Sequence, residues 1–333
     1  MNKIRMEHGS GGRSTGELIE QIFAKAFSNE ILSAMEDAAV VEGTPRIAVT
    51  TDSFVVTPLE FPGGDIGRLS ICGTVNDLLM RGAVPKYITC GFILQEGADT
   101  VQLKRLVNSM AKTAKEAGVQ IIAGDTKVVE GNGGIFINTT GVGFVPEAID
   151  ISSANGRAGD VILVSGSLGD HHAAILSSRM GIKNTITSDN APLTDMVKKL
   201  LDENIQIRTL RDVTRGGLAT VLKELAVSSG MQFEIEEGAL PINLQVRDFC
   251  GLLGLDPLYM GNEGKLIALA AKEDARKALE IMRSAEYGEN AAIIGEVMEP
   301  ETESERGRLI LKTRIGGRRV LDILQGEGLP RIC

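Results

Sequence analysis

Apolar positions in LIEQIFAKAF recur at helical spacing as Leu18, Ile19, Ile22, Phe23 and Phe27, which predicts a helix behind a glycine-rich opening. Ser14 followed by Glu17 fits a capping box at its start. Strand-like runs at 46–51 and 54–57 come next, then a helix over 66–81, a strand at 87–94 and a helix over 100–118. Further apolar runs stand at 119–123 and 135–145, and 146–159 reads as a linker. The second half repeats the mixture: a strand at 161–164, a helix from about 170, and helices over 193–203 and 218–228. Strands near 233–235 and 265–270, a helix over 274–285 and strands at 292–297 and 308–313 complete the body. This alternation predicts a mixed α/β fold with domains at 1–150 and 151–318. Beyond 318 two glycines and a proline break any helix, so 319–333 is expected to be a mobile tail ending in Cys333.

Length agrees with this division, because 333 residues exceed a usual single core. A net charge of −9 and an aromatic share of 4% without Trp disfavour a nucleic-acid partner. No apolar run approaches a membrane span and the start has no signal-peptide core, so a cytoplasmic protein is expected. Cysteines at 72, 90, 250 and 333 form no CxxC pair, which argues against structural zinc or a disulfide framework. The first three lie among apolar neighbours and are expected in the core.

The chemistry-bearing features are scattered. In HGSGGRST, Gly9, Gly11 and Gly12 permit close backbone approach ahead of a helix whose N–H groups can meet an anion. Asp37, Asp52, Asp77, Asp125 and Asp212 stand at the edges of apolar segments, where a strand ends and oxygen ligands for magnesium commonly sit. Any one of them alone reads more simply as a helix cap or a turn; five in one chain are harder to dismiss. Gly216 and Gly217 in TRGGL suit a second phosphate-cradling turn just after Asp212. His171 and His172 lack a spaced partner and read as surface or capping residues. Cys333, the last residue of the sequence, is a thiol that can be loaded in one place and unloaded in another.

In order along the chain, HGSGGRST, EDAAVV, TDSF, NDLLMRGA, GDTKVV, GDVILVSGSLGDHHAAIL, DVTRGGL and GNEGK resemble the aminoimidazole-ribonucleotide (AIR) synthetase-like superfamily. The terminal PRIC is similar to its hydrogenase-maturation branch; Glu36, where members often carry a second Asp, departs from the pattern. The resemblance implies two α/β domains and a homodimer whose N-terminal halves pair into a shared β-barrel. It implies ATP in a cleft, Mg²⁺ on carboxylates matching Asp37, Asp52, Asp77 and Asp212, and Asn76 and Asp125 around the phosphates. It further implies that a carbamoyltransferase, HypF, loads Cys333, that ATP drives dehydration of the carbamoyl group to a thiocyanate, and that a HypC–HypD scaffold receives the cyano group on iron. Dehydration needs a base, for which Glu263 in GNEGK is the candidate, while Lys127 in GDTKVV would orient carbamoyl or phosphoryl oxygens. Another ATP enzyme of the superfamily (a small-molecule kinase or amine cyclase) and a non-enzymatic thiol carrier are the alternatives. ATP turnover independent of Cys333 marks the first, and absence of nucleotide binding marks the second.

Overall fold

The structure is a computed structural model that describes residues 3–9, 13–33, 38–203 and 205–324; Gly11, Gly12, Asp37 and Cys333 lie outside them. An N-terminal arm carries α1 (Arg13–Leu18), a π-helical stretch over Ile19–Ala24, and α2 (Glu30–Ser33). The first domain continues with β1 (Ile47–Phe54), the short β2 (Glu60–Phe61) and β3 (Gly64–Asp65), α3 (Ile66–Leu79), β4 (Val84–Gln95), α4 (Thr100–Ala117), β5 (Gln120–Val129) and β6 (Ile135–Phe144). The second holds β7 (Val161–Val164), α5 (Asp170–Met180), α6 (Thr194–Asp202), β8 (Ile207–Asp212), α7 (Gly217–Ser229), β9 (Gln232–Glu236) and α8 (Leu244–Leu253). It closes with β10 (Leu266–Ala270), α9 (Ala275–Ser284), β11 (Ala292–Met298), β12 (Leu309–Lys312) and β13 (Arg318–Leu321).

The first sheet has the order β1-β6-β4-β5, and its strands β4 and β5 run parallel because α4 returns the chain between them. Asp99 caps α4 by accepting from Val101 N at 2.8 Å, and Gly118 ends it at φ +73°. Only one face of this sheet is covered. Along β1, Ala48, Thr50, Asp52 and Phe54 turn toward α3, whereas Ile47, Val49, Thr51 and Ser53 face outward and are exposed. Register places Ile47 opposite Phe144 and Val49 opposite Val142, and Tyr87 meets Phe144 edge-on, so the outer face is apolar at this end and polar toward Thr51 and Ser53.

The second sheet has the order β13-β12-β9-β11-β7-β10-β8. Its β10, LIALA, lies between β7 and the edge strand β8 and is buried at every position, as an unbroken apolar run inside a covered sheet should be. Residues 319–321 belong to this sheet instead of a tail. β13 pairs with β12, Leu321 is buried, and Arg318 together with Lys312 neutralises the buried Glu234. Ser14 falls inside α1, which starts at Arg13, so it does not cap the helix. No helix among the described residues is long and apolar enough to cross a membrane.

One apolar core runs through both domains, joining Ile66, Leu69 and Met110 of the first to Leu163, Met196, Leu200 and Met282 of the second. α3 is buried nearly all round, which makes it the central pillar between the layers. The seam also has a polar rivet. The Asn76 side chain accepts from Leu193 N at 2.9 Å and donates to Ala191 O at 3.0 Å and Glu263 O at 3.5 Å. Asn76→Ala removes a partner from three buried backbone groups and should cost about 2–4 kcal/mol in urea unfolding. A change under about 0.5 kcal/mol would remove the rivet from the account.

Candidate active site

Three elements converge on a carboxylate cluster. Thr50 and Asp52 share the inward face of β1, Asp77 stands on α3, and Asp212 ends β8. Thr50 Oγ1 donates to Asp77 Oδ2 at 2.7 Å, and Thr74 Oγ1 reaches Asp52 Oδ2 at 3.5 Å. Burial is the main cause that pushes Asp52 up to about 6; the charge of Asp77 and a hydrogen bond with it add to the rise, and Arg215 opposes it. Asp212 is likewise pushed up to about 6, by burial first and by Asp77 second. These groups repel one another in a half-buried corner, and a divalent cation would relieve that repulsion. Among the described residues no three His, Cys, Asp or Glu side chains close into a cage that could hold a metal by themselves. Magnesium seldom needs such a cage, since it takes one or two carboxylates and fills its shell with phosphate and water.

Glu263 lies on the loop that enters β10, buried, with its backbone tied on both sides. Its N–H donates to Asp189 Oδ1 at 3.0 Å and its carbonyl accepts from Ala191 N at 3.4 Å. The neighbouring Asn262 N–H donates to Val213 O at 2.9 Å, which places the loop beside Asp212. Just after Asp212 the chain turns through Gly216 at φ +79° and Gly217 at φ +65° into α7, a 13-residue helix with no side-chain cap at its start. A Cβ on Gly217 would stand 2.5 Å from Leu258 O, so glycine is required for packing there as well as for its backbone angle.

Asp125 and Lys127 form a separate group. Both protrude from β5 and pair with each other at 3.2 Å, at the edge of a cavity of about 620 Å³. Phe23, Phe27, Ile31, Cys90 and Phe92 give that cavity apolar walls. Gly9 lines it too, pressed so closely on β5 that a Cβ would stand 2.6 Å from Val128 N.

Both ends of the Asn76 amide are engaged by backbone of the second domain. One expectation needs correction. His171 and His172 are buried, not superficial; His171 sits edge-on to Phe61 at 5.5 Å with Nδ1 2.7 Å from Ser188 Oγ. The cysteines at 72, 90 and 250 are buried as expected, and burial pushes all three thiols up, Cys250 to about 11, so none offers a thiolate near neutral pH. Sequence reasoning missed Arg215 and the buried pair of Lys265 with Asp189 at 3.5 Å. Lys265 was within reach, being two residues beyond Glu263 in GNEGK; Asp189 stands in no motif.

Family models for AIR synthase related protein match the chain twice, the N-terminal domain over residues 35–145 and the C-terminal domain over 157–308. The chain is 50% identical to carbamoyl dehydratase HypE of Azotobacter vinelandii over 335 residues, covering 99% of this chain and 97% of that protein. It is 45% identical to carbamoyl dehydratase HypE of Escherichia coli K12, with full coverage of both. Among solved structures it is similar to a hydrogenase maturation protein HypE in complex with ATP, at TM-score 0.95 and 47% identity over 98% of this chain and 99% of that one. A HypE–HypF complex matches at TM-score 0.80 and 47% identity, over 92% and 99%.

The cluster has a pH signature. Folded Asp52 and Asp212 hold their protons up to about 6, whereas unfolded chain releases them near 3.8. The folded state therefore binds more protons in that window, and stability falls as pH rises through it. Asp77→Asn removes a repelling charge from both groups. In EDTA it should raise Tm by a few degrees above pH 6, with the gain vanishing near pH 4. An equal or lower Tm at pH 7.5 would contradict the repulsion.

Proposed function

Because this chain belongs to the carbamoyl dehydratase HypE family of AIR synthase-related proteins, we propose that it dehydrates a carbamoyl group carried on its own Cys333. It is an enzyme of hydrogenase maturation that uses ATP. The observation that carries the assignment to Cys333 is the state of the other sulfurs. Three of the four cysteines are buried with thiols pushed up by that burial, which leaves Cys333 as the thiol for acyl chemistry.

The last described turn supports it. Leu324 N–H donates to Thr220 Oγ1 at 3.2 Å on the first turn of α7, and Asp322 O accepts from Tyr259 Oη at 3.0 Å. The tail therefore starts beside the Gly216–Gly217 turn that follows Asp212. Nine further residues lead to Cys333, and at about 3.3 Å each they can span roughly 30 Å, enough to reach the cluster or an external loader.

The reaction follows from the groups in place. The thiocarbamate oxygen attacks the γ-phosphorus of ATP, the bond to the ADP oxygen breaks, and one nitrogen proton leaves. The second nitrogen proton passes to Glu263 as the C–O bond to phosphate breaks, giving S–C≡N, ADP and phosphate. Asp52, Asp77 and Asp212, with Asp37, would hold Mg²⁺, which supplies charge neutralisation at the phosphates. Lys127 and Asp125 stand at the mouth of the apolar cavity, whose volume and walls suit the flat base of a nucleotide. The glycine turn of Gly216 and Gly217 at the start of α7, and the arm at Gly9, Gly11 and Gly12, would let backbone approach its phosphates closely.

HypF is the loader by analogy with the complex of a relative, and a HypC–HypD scaffold is the acceptor. A second copy of the chain covers the outer face of the first sheet, where Ile47, Val49 and Ile93 are about half exposed or more. The cytoplasm, where hydrogenase maturation and ATP coincide, is the proposed location.

With S-carbamoylated protein, Mg·ATP should remove one water from the C-terminal peptide by mass spectrometry. Cys333→Ala should bind ATP with unchanged affinity and form no thiocyanate; dehydration on another cysteine would refute the assignment. Val49→Asp should convert a dimer to a monomer by light scattering at micromolar concentration. A dimer that persists in that variant would move the interface elsewhere.

A further inference from the structure

The loop bearing Glu263 is held from three directions. Val213 fixes Asn262 from the side of Asp212, Asn76 reaches Glu263 O from the side of Asp77, and the 188–191 segment closes the third. Asp189 is the charged group in that segment. One oxygen accepts from Glu263 N at 3.0 Å; the other lies 3.5 Å from the Lys265 ammonium, which also donates to Gly264 O at 3.0 Å. Both side chains of this pair are more than nine-tenths buried. Between them Gly264 is pressed against the same segment so tightly that a Cβ would stand 2.0 Å from Asp189 O. One acid thus holds Glu263 by its own N–H and faces Lys265 two residues on, while its backbone presses on Gly264 between them.

We propose that Asp189 is a positioning residue for Glu263, a role that rests on Glu263 being the base of the dehydration. A buried carboxylate holding a backbone N–H, neutralised by a lysine two residues further along the same strand entry, fixes both the height and the direction of that loop. A pure packing role would need neither the acceptor nor the charge. Asn76 serves the same loop from the opposite domain, so the proposed base and the Asp77 cluster share one rigid frame.

Removing Asp189 alone would strand Lys265, so the test keeps the charges balanced. In Asp189→Asn with Lys265→Met, an oxygen still accepts from Glu263 N–H. In Asp189→Leu with Lys265→Met, a side chain of similar size cannot. Single-turnover dehydration of carbamoylated protein should stay within about threefold of wild type in the first and fall about a hundredfold in the second, with the KM for ATP unchanged in both. The pH–rate profile should shift in the second alone. Asp189→Glu keeps the ion pair but displaces the acceptor by one methylene, and it should lose about tenfold in rate; it serves as the measurement should the leucine variant fail to fold. Wild-type rates and pH profile in the leucine variant, or in Asp189→Glu, would overturn the proposal. Glu263→Gln separates the premise: full activity there removes Glu263 as base, whereas an inactive Glu263→Gln beside an active leucine variant removes only the role of Asp189.

Discussion

Like charges in one half-buried corner are the constraint on which the architecture turns. Asp52 and Asp77 come from a strand and a helix of one domain, and Asp212 comes from the last strand of the other domain's sheet. Bringing them together opposes folding, since burial and mutual repulsion both raise the free energy of the ionised state. The compensation is elsewhere: an apolar core common to both domains, and a central helix buried on nearly every side. Function and stability thus share one helix, with Asp77 in its last turn at the cluster and Ile66, Leu69 and Leu78 in the core.

That arrangement explains why the domain seam is polar where it could have been apolar. Asn76 and Asp77 are consecutive, so any shift of α3 that moves the carboxylate also breaks the bonds of Asn76 to Ala191 and Leu193. Arg68, lower on the same helix, donates twice to Glu116 and once to Asn190 O, and Tyr287 Oη closes the group by donating to Glu116 at 2.6 Å. Directional contacts of this kind fix distances more tightly than apolar packing, which tolerates small slides.

Much of the body was legible from local pattern. The strand at 161–164 has the bounds that its apolar run predicted, and the helix expected over 100–118 is α4, Thr100–Ala117. Misses share a physical cause. β8 reads IRTLRD at the sheet's end and β13 reads RRVL, each with charges that open edges require, so neither shows a burial period. The carboxylates were visible because an acid after a β-rich run is an unusual place for a charge. The seam bonds of Asn76 were not legible because its partners are backbone atoms more than a hundred residues away, and no side-chain pattern records them. Asp189 left no trace for the same reason.

The burial of Cys72, Cys90 and Cys250 has a consequence for selectivity. An activated acyl donor discriminates poorly among thiols by intrinsic reactivity, so a carrier that must be charged at one sulfur gains fidelity by concealing the rest. Here Cys72 is sealed in the core and Cys250 in the small cluster around Met260, while Cys90 is set into the wall of the apolar cavity, where a bound nucleotide base would cover it. Mischarging is thereby tied to global stability: a variant that loosens the core would acquire surplus acceptor sites before it lost its fold, and errors in loading would be an early sign of a failing structure.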